Sequence, residues 1–308
     1  MNFCKSTLAM AMLSAASHTA LAGEGPIQFY GKANVSVQVS DEGGDSFTEL
    51  QSNASRLGVK GTHEVSNGLF VVYKAEFQVD LDGDGDTFKD RNQYIGLKGS
   101  FGEVLLGKND TMLKQSQGKV DLFNDLEGDI KHLWKGDNRM DDTVSYKTPK
   151  MNGFQVGVTY VADQSEAGDD SISAAVFYGD KKLKKSKLYA SVAADFDVKG
   201  YDVVRATVQG KVSGVVLGAM IQNQENVATG ADVDGYLVSA KYKMDKVTLK
   251  GQYQLAEYDN GVDKTGFSVG ADYSLAKSTK LYTFYTTLDM DNVSEDQDYL
   301  AAGIEYKF

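Results

Sequence analysis

The chain has 308 residues, with 32 Lys and Arg against 43 Asp and Glu, a formal charge of −11. That balance excludes nucleic acid as a partner class, since binding it calls for a basic surface. A mean hydropathy of −0.34 is too polar for a bundle of membrane helices, though a transmembrane barrel hides its apolar band in alternate residues.

Residues 1–22 read as an export signal. Lys5 gives a positive start, Leu8 to Ala16 an apolar run, and Ala20-Leu21-Ala22 a small-residue cleavage site. The mature chain is expected to begin at Gly23. Cys4, the single cysteine, leaves with the signal and lies too early to carry a lipid, so no disulfide is expected. No later run of eighteen or more apolar residues could form a spanning helix.

From Ile27 the pattern alternates. Phe29, Ala33, Val35, Val37 and Val39 share one face, while Gln28, Tyr30, Lys32, Asn34, Ser36 and Gln38 share the other. That is the period of a strand with one apolar and one wet face. Similar blocks recur at 49–62, 69–80, 91–100, 102–109, 141–149, 154–163, 172–181, 186–196, 201–211, 214–225, 233–244, 247–258, 265–274, 280–290 and 298–308. With the first, they predict sixteen strands. Short turns such as 99–102 and 150–153 alternate with longer acidic connections such as 40–48, 81–90 and 291–297. Sorting of that kind describes an up-and-down antiparallel barrel with turns in the periplasm and loops outside. Residues 23–308 are therefore read as one all-β, 16-stranded transmembrane domain in the outer membrane.

One connection stands apart. Residues 109–141 span about thirty positions without alternation, a length that marks a functional or disordered loop. Apolar Leu122, Phe123, Leu126, Ile130, Leu133 and Trp134 are interleaved with Asp121, Asp125, Glu127, Asp129 and Asp137. Such a mixture of anchors and acids predicts a loop folded against the inner wall, narrowing the lumen. The last strand places Leu300, Ala302, Ile304, Tyr306 and Phe308 on one face. A terminal aromatic suits the membrane interface.

Other signals carry less. Asp82-Gly-Asp-Gly-Asp86 starts like a calcium loop, but Thr87 and Gln93 replace the required glycine and bidentate glutamate, so no metal site is assigned. Lysines 181, 182, 184, 185 and 187 are expected in a periplasmic turn, facing solvent. His63, placed in a periplasmic turn, and His132, in the inner loop, belong to no recognisable catalytic arrangement, and neither an enzyme nor a cofactor is expected.

At this point the residues resemble a known family. Tyr30-Gly-Lys32, Ser55 to Gly61, Lys74-Ala-Glu-Phe77, Asp90 to Leu97, Phe101 to Lys108 and Asn138 to Pro149 look like the corresponding stretches of the Gram-negative general porins. A C-terminal Phe on an alternating strand also resembles the assembly signal of outer-membrane proteins. The resemblance implies a homotrimer in outer-membrane lipid and lipopolysaccharide, each barrel constricted by its third loop. It implies a basic ladder at Lys32, Arg56, Lys74, Arg91 and Arg139, with Lys108 nearby, and acids at Glu76 and on the loop. The Pro-Glu-Phe often found at the loop tip is absent, so Asp121, Asp125, Glu127 and Asp129 are assigned by neighbourhood.

Alternation supports the wall charges independently. Leu57 and Val59 share a face, leaving Arg56 and Lys60 opposite; Val71, Tyr73, Ala75 and Phe77 likewise leave Lys74 and Glu76 opposite. An arginine at the lipid midplane would cost roughly 2–4 kcal/mol, so these charges should face water. Opposed charges across a narrow waist orient polar solutes and disfavour apolar ones. The expected function is passive diffusion of ions and small hydrophilic solutes. The alternatives are a substrate-selective channel of the same fold, and a non-conducting barrel serving as adhesin or receptor. Net charge favours cations at the mouths and the ladder favours anions at the waist; the balance leans slightly to cations.

Overall fold

A computed structural model describes residues 27–83, 86–162, 170–290 and 296–308. The expected signal at 1–22 lies outside them, as do parts of 81–90, 163–171 and 291–297. The strands are β1 (Gln28–Glu42), β2 (Phe47–Ser52), β3 (Arg56–Ser66), β4 (Leu69–Val79), β5 (Phe88–Gly99), β6 (Gly102–Asp110), β7 (Arg139–Lys147), β8 (Phe154–Val161), β9 (Ser171–Gly179), β10 (Leu188–Phe196), β11 (Tyr201–Val212), β12 (Val215–Asn226), β13 (Asp232–Met244), β14 (Val247–Tyr258), β15 (Asp263–Ser274), β16 (Thr279–Asp289) and β17 (Gln297–Lys307). Neighbours pair antiparallel, and β17 returns to β1 with Lys307 opposite Lys32. β2 and β3 both pair with β1 and are two halves of one stave, so the closed barrel has sixteen.

The predicted strand 49–62 is thus interrupted at 53–55. There Ala54 takes φ +48, and the Asn34 amide donates to Ser55 Oγ at 2.9 Å. Side-chain bonding replaces the ladder locally, which alternation cannot foresee. His63 also lies elsewhere than expected, inside β3 opposite Val71, because that strand runs on to Ser66.

Burial is inverted relative to a soluble sheet. Val37 is 51% exposed while its neighbour Gln38 is 1% exposed. Apolar residues face out, as a lipid-facing surface requires, and polar ones face the lumen. Aromatic pairs such as Phe154 with Tyr178, 4.8 Å between centroids, and Tyr306 with Phe308, 5.8 Å, sit near strand ends, where amphipathic rings are favoured. Two connections break the expected sorting. The one at 197–200 is short on the long-loop side, and that at 180–187 is long on the turn side.

The seam between β17 and β1 extends to Phe308. Gly31 N donates to Phe308 O at 3.0 Å and Phe308 N donates to Gly31 O at 3.2 Å. A Cβ on Gly31 would fall 2.3 Å from the Phe308 ring, so this close approach needs glycine.

The long loop between β6 and β7 folds inward. It opens with helix α1 (Met112–Ser116), capped by Thr111, and contains a 3₁₀ turn at Ile130–His132 capped by Asp129. Met112 and Leu113 pack on Ala175, Phe177 and Tyr189. Val120, Phe123, Ile130, Leu133 and Trp134 pack on Met220, Leu237, Phe284 and Leu288 of the wall. Each such side chain contributes about 1.5–3 kcal/mol when buried. Gly235 on β13 seats the Trp134 indole, whose ring atoms lie 2.7–3.0 Å from where a Cβ would stand. The core of this barrel is the interface between loop and wall.

Candidate functional site

The waist is built from one wall and one loop tip. On the wall, Ala75 pairs with Gln93 but Phe77 pairs with Asp90, so Arg91 and Asn92 together oppose Glu76. This β-bulge turns two consecutive side chains inward, a common use of the device beside functional sites. Arg91 Nε then donates to Glu76 at 2.9 Å. Lys74 Nζ lies 3.1 Å from the same carboxylate, and the Tyr30 hydroxyl donates to it at 2.8 Å. Next along, Arg139 donates to Asn92 at 2.7 Å and pairs with Asp110 at 3.0 Å. Lys108 pairs with Asp141 at 2.9 Å.

At the tip, Asp125 adopts φ +71, a left-handed conformation that Asp tolerates better than most residues. Its carboxylate crosses the lumen to Lys32 at 3.0 Å and Arg56 at 2.5 Å. Burial would raise this carboxyl, but the Lys32 and Arg56 charges outweigh it and hold it well below the usual carboxylate range. Arg56 is itself aimed by the strand interruption, since its Nε donates to Ala54 O at 3.1 Å.

The other expected loop acids behave differently. Asp121 accepts from the amides of Phe123 at 2.9 Å and Ile130 at 3.3 Å, tying both ends of the tip together. Burial, with the Asp129 carboxylate adding to it, pushes Asp121 up to about 7. Asp129 accepts from the amides of Asp125 at 2.9 Å and Lys131 at 3.0 Å. Both residues therefore brace the loop from within, while Asp129 also lines the waist with Arg56 and Arg91 and Asp121 lines the adjoining cavity with Lys32 and Arg56. Glu127 accepts from Gln38 at 3.4 Å and lies 3.9 Å from His132. Asp137 pairs with Lys114 at 3.3 Å, at the root of the loop.

Several residues escaped the sequence reading. Arg205 is fully buried, donating to Gln222 at 2.7 Å and to the loop carbonyls of Leu113 and Lys135 at 3.5 and 3.4 Å. Its place between Val203 and Thr207 on the lumen face of β11 was the available signal. Lys119 and Lys181 also line the waist, and Lys147, two residues beyond lumen-facing Ser145, lines the adjoining recess. In the acidic stretch that begins like a calcium loop, Asp82 accepts from the Ser52 amide at 2.7 Å.

The geometry is that of a barrel with a polar, charged eyelet, and known porins resemble the chain in sequence and fold. A family model described as Gram-negative porin matches residues 7–293. The major outer membrane protein P.IB of Neisseria lactamica is 25% identical over 264 residues, 75% of this chain and 76% of that protein. A monosaccharide porin of a Halomonas species is 24% identical, covering 92% of each. Among solved structures, the anion-selective porin from Comamonas acidovorans superposes with TM-score 0.78 at 22% identity, over 92% of this chain and 99% of that one. A trimer form of OmpT from Vibrio cholerae does so at 0.68 and 21%, over 92% and 99%. The chain belongs to the Gram-negative porins and is an outer-membrane diffusion porin.

Proposed function

We propose that the waist, where the loop tip meets the wall, is the filter of this porin, admitting ions and small hydrophilic solutes and disfavouring apolar ones. The observation that carries this reading is the Asp125 carboxylate reaching Lys32 and Arg56, with the Glu76, Lys74 and Arg91 cluster beside it. Fixed opposite charges across a narrow aqueous gap set up a transverse field that polar solutes can exploit and apolar ones cannot. Lys32, Arg56, Lys74, Arg91 and Arg139 form the basic side, and Asp125, Glu76 and Glu127 the acidic side. The working unit in this reading is a homotrimer embedded in lipid and lipopolysaccharide, with conduction needing no cofactor.

A second reading, a solute-selective channel on the same barrel, draws support from the Halomonas relative named a monosaccharide porin. Single-channel current in a planar bilayer under a salt gradient tests both. Conductance in groups of three steps, passing chloride, potassium and sugars alike, supports the general trimeric filter. Current that a monosaccharide blocks at low concentration favours selectivity, and a folded trimer without conductance overturns the filter.

A further inference from the structure

The cations at the waist divide into two populations. Lys32, Arg56, Lys74, Arg91, Lys114 and Arg139 are each within ion-pair distance of a carboxylate. Lys119, Lys147 and Lys181 are not, among the described residues. Lys119 and Lys181 are exposed to the lumen. Lys147 donates to the Gln115 amide oxygen and stands 5.4 Å from the centroid of Phe177.

The fold brings these three together from three different elements. Lys119 lies just after α1, where its carbonyl accepts from Gln209 at 3.4 Å, close to the periplasmic end of β11. Lys147 is the last residue of β7, and Lys181 belongs to the 180–187 connection, the one that is unusually long for its side of the barrel. Lys181 shares the waist lining with Lys119 and shares the lining of the side recess with Lys147. Enclosure first, and the Lys119 charge next, lower the Lys181 pKa, as expected of ammonium groups confined near one another. The acids that act on them are engaged elsewhere: Asp110 with Arg139 at 3.0 Å, Glu103 with Lys98 at 3.7 Å, Asp125 with Lys32 at 3.0 Å, and Asp180 with the amides of Lys182, Lys184 and Lys185 at 2.9, 3.0 and 3.1 Å.

We propose that Lys119, Lys147 and Lys181 form a subsite for small oxyanions carrying two negative charges, on the periplasmic side of the waist. Unneutralised cations within low-dielectric walls concentrate counter-ions, and one dianion relieves the repulsion of two ammonium groups at once. The pore is then electrically lopsided, with acidic loops outside and a basic pocket inside. This inference rests on the channel reading above and deepens it by naming a solute class.

The test is block of single-channel potassium chloride current by inorganic phosphate at about pH 8, where phosphate is mostly a dianion. It is added to either side of wild type and of a Lys119→Gln/Lys181→Gln double variant. Phosphate should block wild type, more strongly from the periplasmic side, and the double variant should need roughly tenfold more. The variant's reversal potential should also move towards cations. Parallel block by succinate would assign the site to dianions in general, and block by phosphate alone to phosphoryl groups. An open wild-type pore indifferent to both overturns this inference alone, as does equal block of the variant. A wild type without chloride conductance removes the channel reading with it.

Discussion

The two halves of the lumen are made from the same alternating strands and put to opposite uses. Along β9 to β16 the inner face carries Ala175, Tyr189, Met220, Leu237, Phe284 and Leu288, and the loop covers it with its own apolar residues. Along β3 to β7 the inner face carries Arg56, Lys74, Glu76, Arg91 and Arg139 and stays wet. The loop is the element that separates them, apolar towards one wall and charged towards the other. A pore can therefore be narrowed by packing half of it and charging the rest.

The largest effect is expected from breaking the packed half. Trp134→Ala removes the indole from Gly235 and its hydrogen bond to Leu255 O at 3.1 Å. Loss of a buried aromatic costs about 3–5 kcal/mol, so loop amides should lose most of their hydrogen-exchange protection and the open current should become larger and noisier. Unchanged exchange would show that the loop is anchored otherwise.

The next effect lies on the tip. Asp125→Asn removes the partner of both Lys32 and Arg56, at a cost of about 2 kcal/mol for charge-assisted hydrogen bonds. It leaves two bare cations in the eyelet, so the reversal potential should swing towards anions. A swing towards cations would contradict the charge assignment.

Protonation sharpens the comparison, because Asp121 and Asp125 are shifted in opposite senses. The Asp121 carboxyl rises from 3.8 to about 7, so the folded loop binds its proton more tightly than the unfolded one does. Its contribution is fully present below about pH 4 and fades as pH rises through about 7. Asp125 is depressed, so its contribution is present above the ordinary carboxylate range and lost only in stronger acid. Loop protection against protease should thus be higher at pH 5 than at pH 8, and Asp121→Asn should flatten that difference. A profile that rises with pH would reverse the assignment. The smallest effect belongs to Arg91→Gln, since Lys74 and Tyr30 still hold Glu76. A slight shift of the reversal potential towards cations is expected.

The same division explains what was legible in the sequence. Strand placement was, because two-residue alternation is a direct image of a wall with lipid outside and water inside. The apolar anchors of the loop were too, since a soluble loop has little use for Phe123, Ile130 and Trp134 together. The pairing of charges was not. Strict alternation puts Asn92 inward and Arg91 outward, and only the bulge opposite Glu76 brings both in. Asp121, Asp125 and Asp129 are alike as residues, yet backbone amides claim two of them and Lys32 and Arg56 the third. Lys181 was read as a solvent-facing turn residue, because nothing local reveals that its turn borders the lumen.

The pairing of β17 with β1, which runs from Glu42 opposite Gln297 to Lys32 opposite Lys307, makes the barrel a ring with one clasp. Until β17 meets β1, the sheet offers two raw strand edges able to pair with another chain. The clasp joins positions almost the whole chain apart, the kind of contact that makes folding slow. A nascent copy therefore spends its most vulnerable interval with its other strands in place and the ring still unfastened.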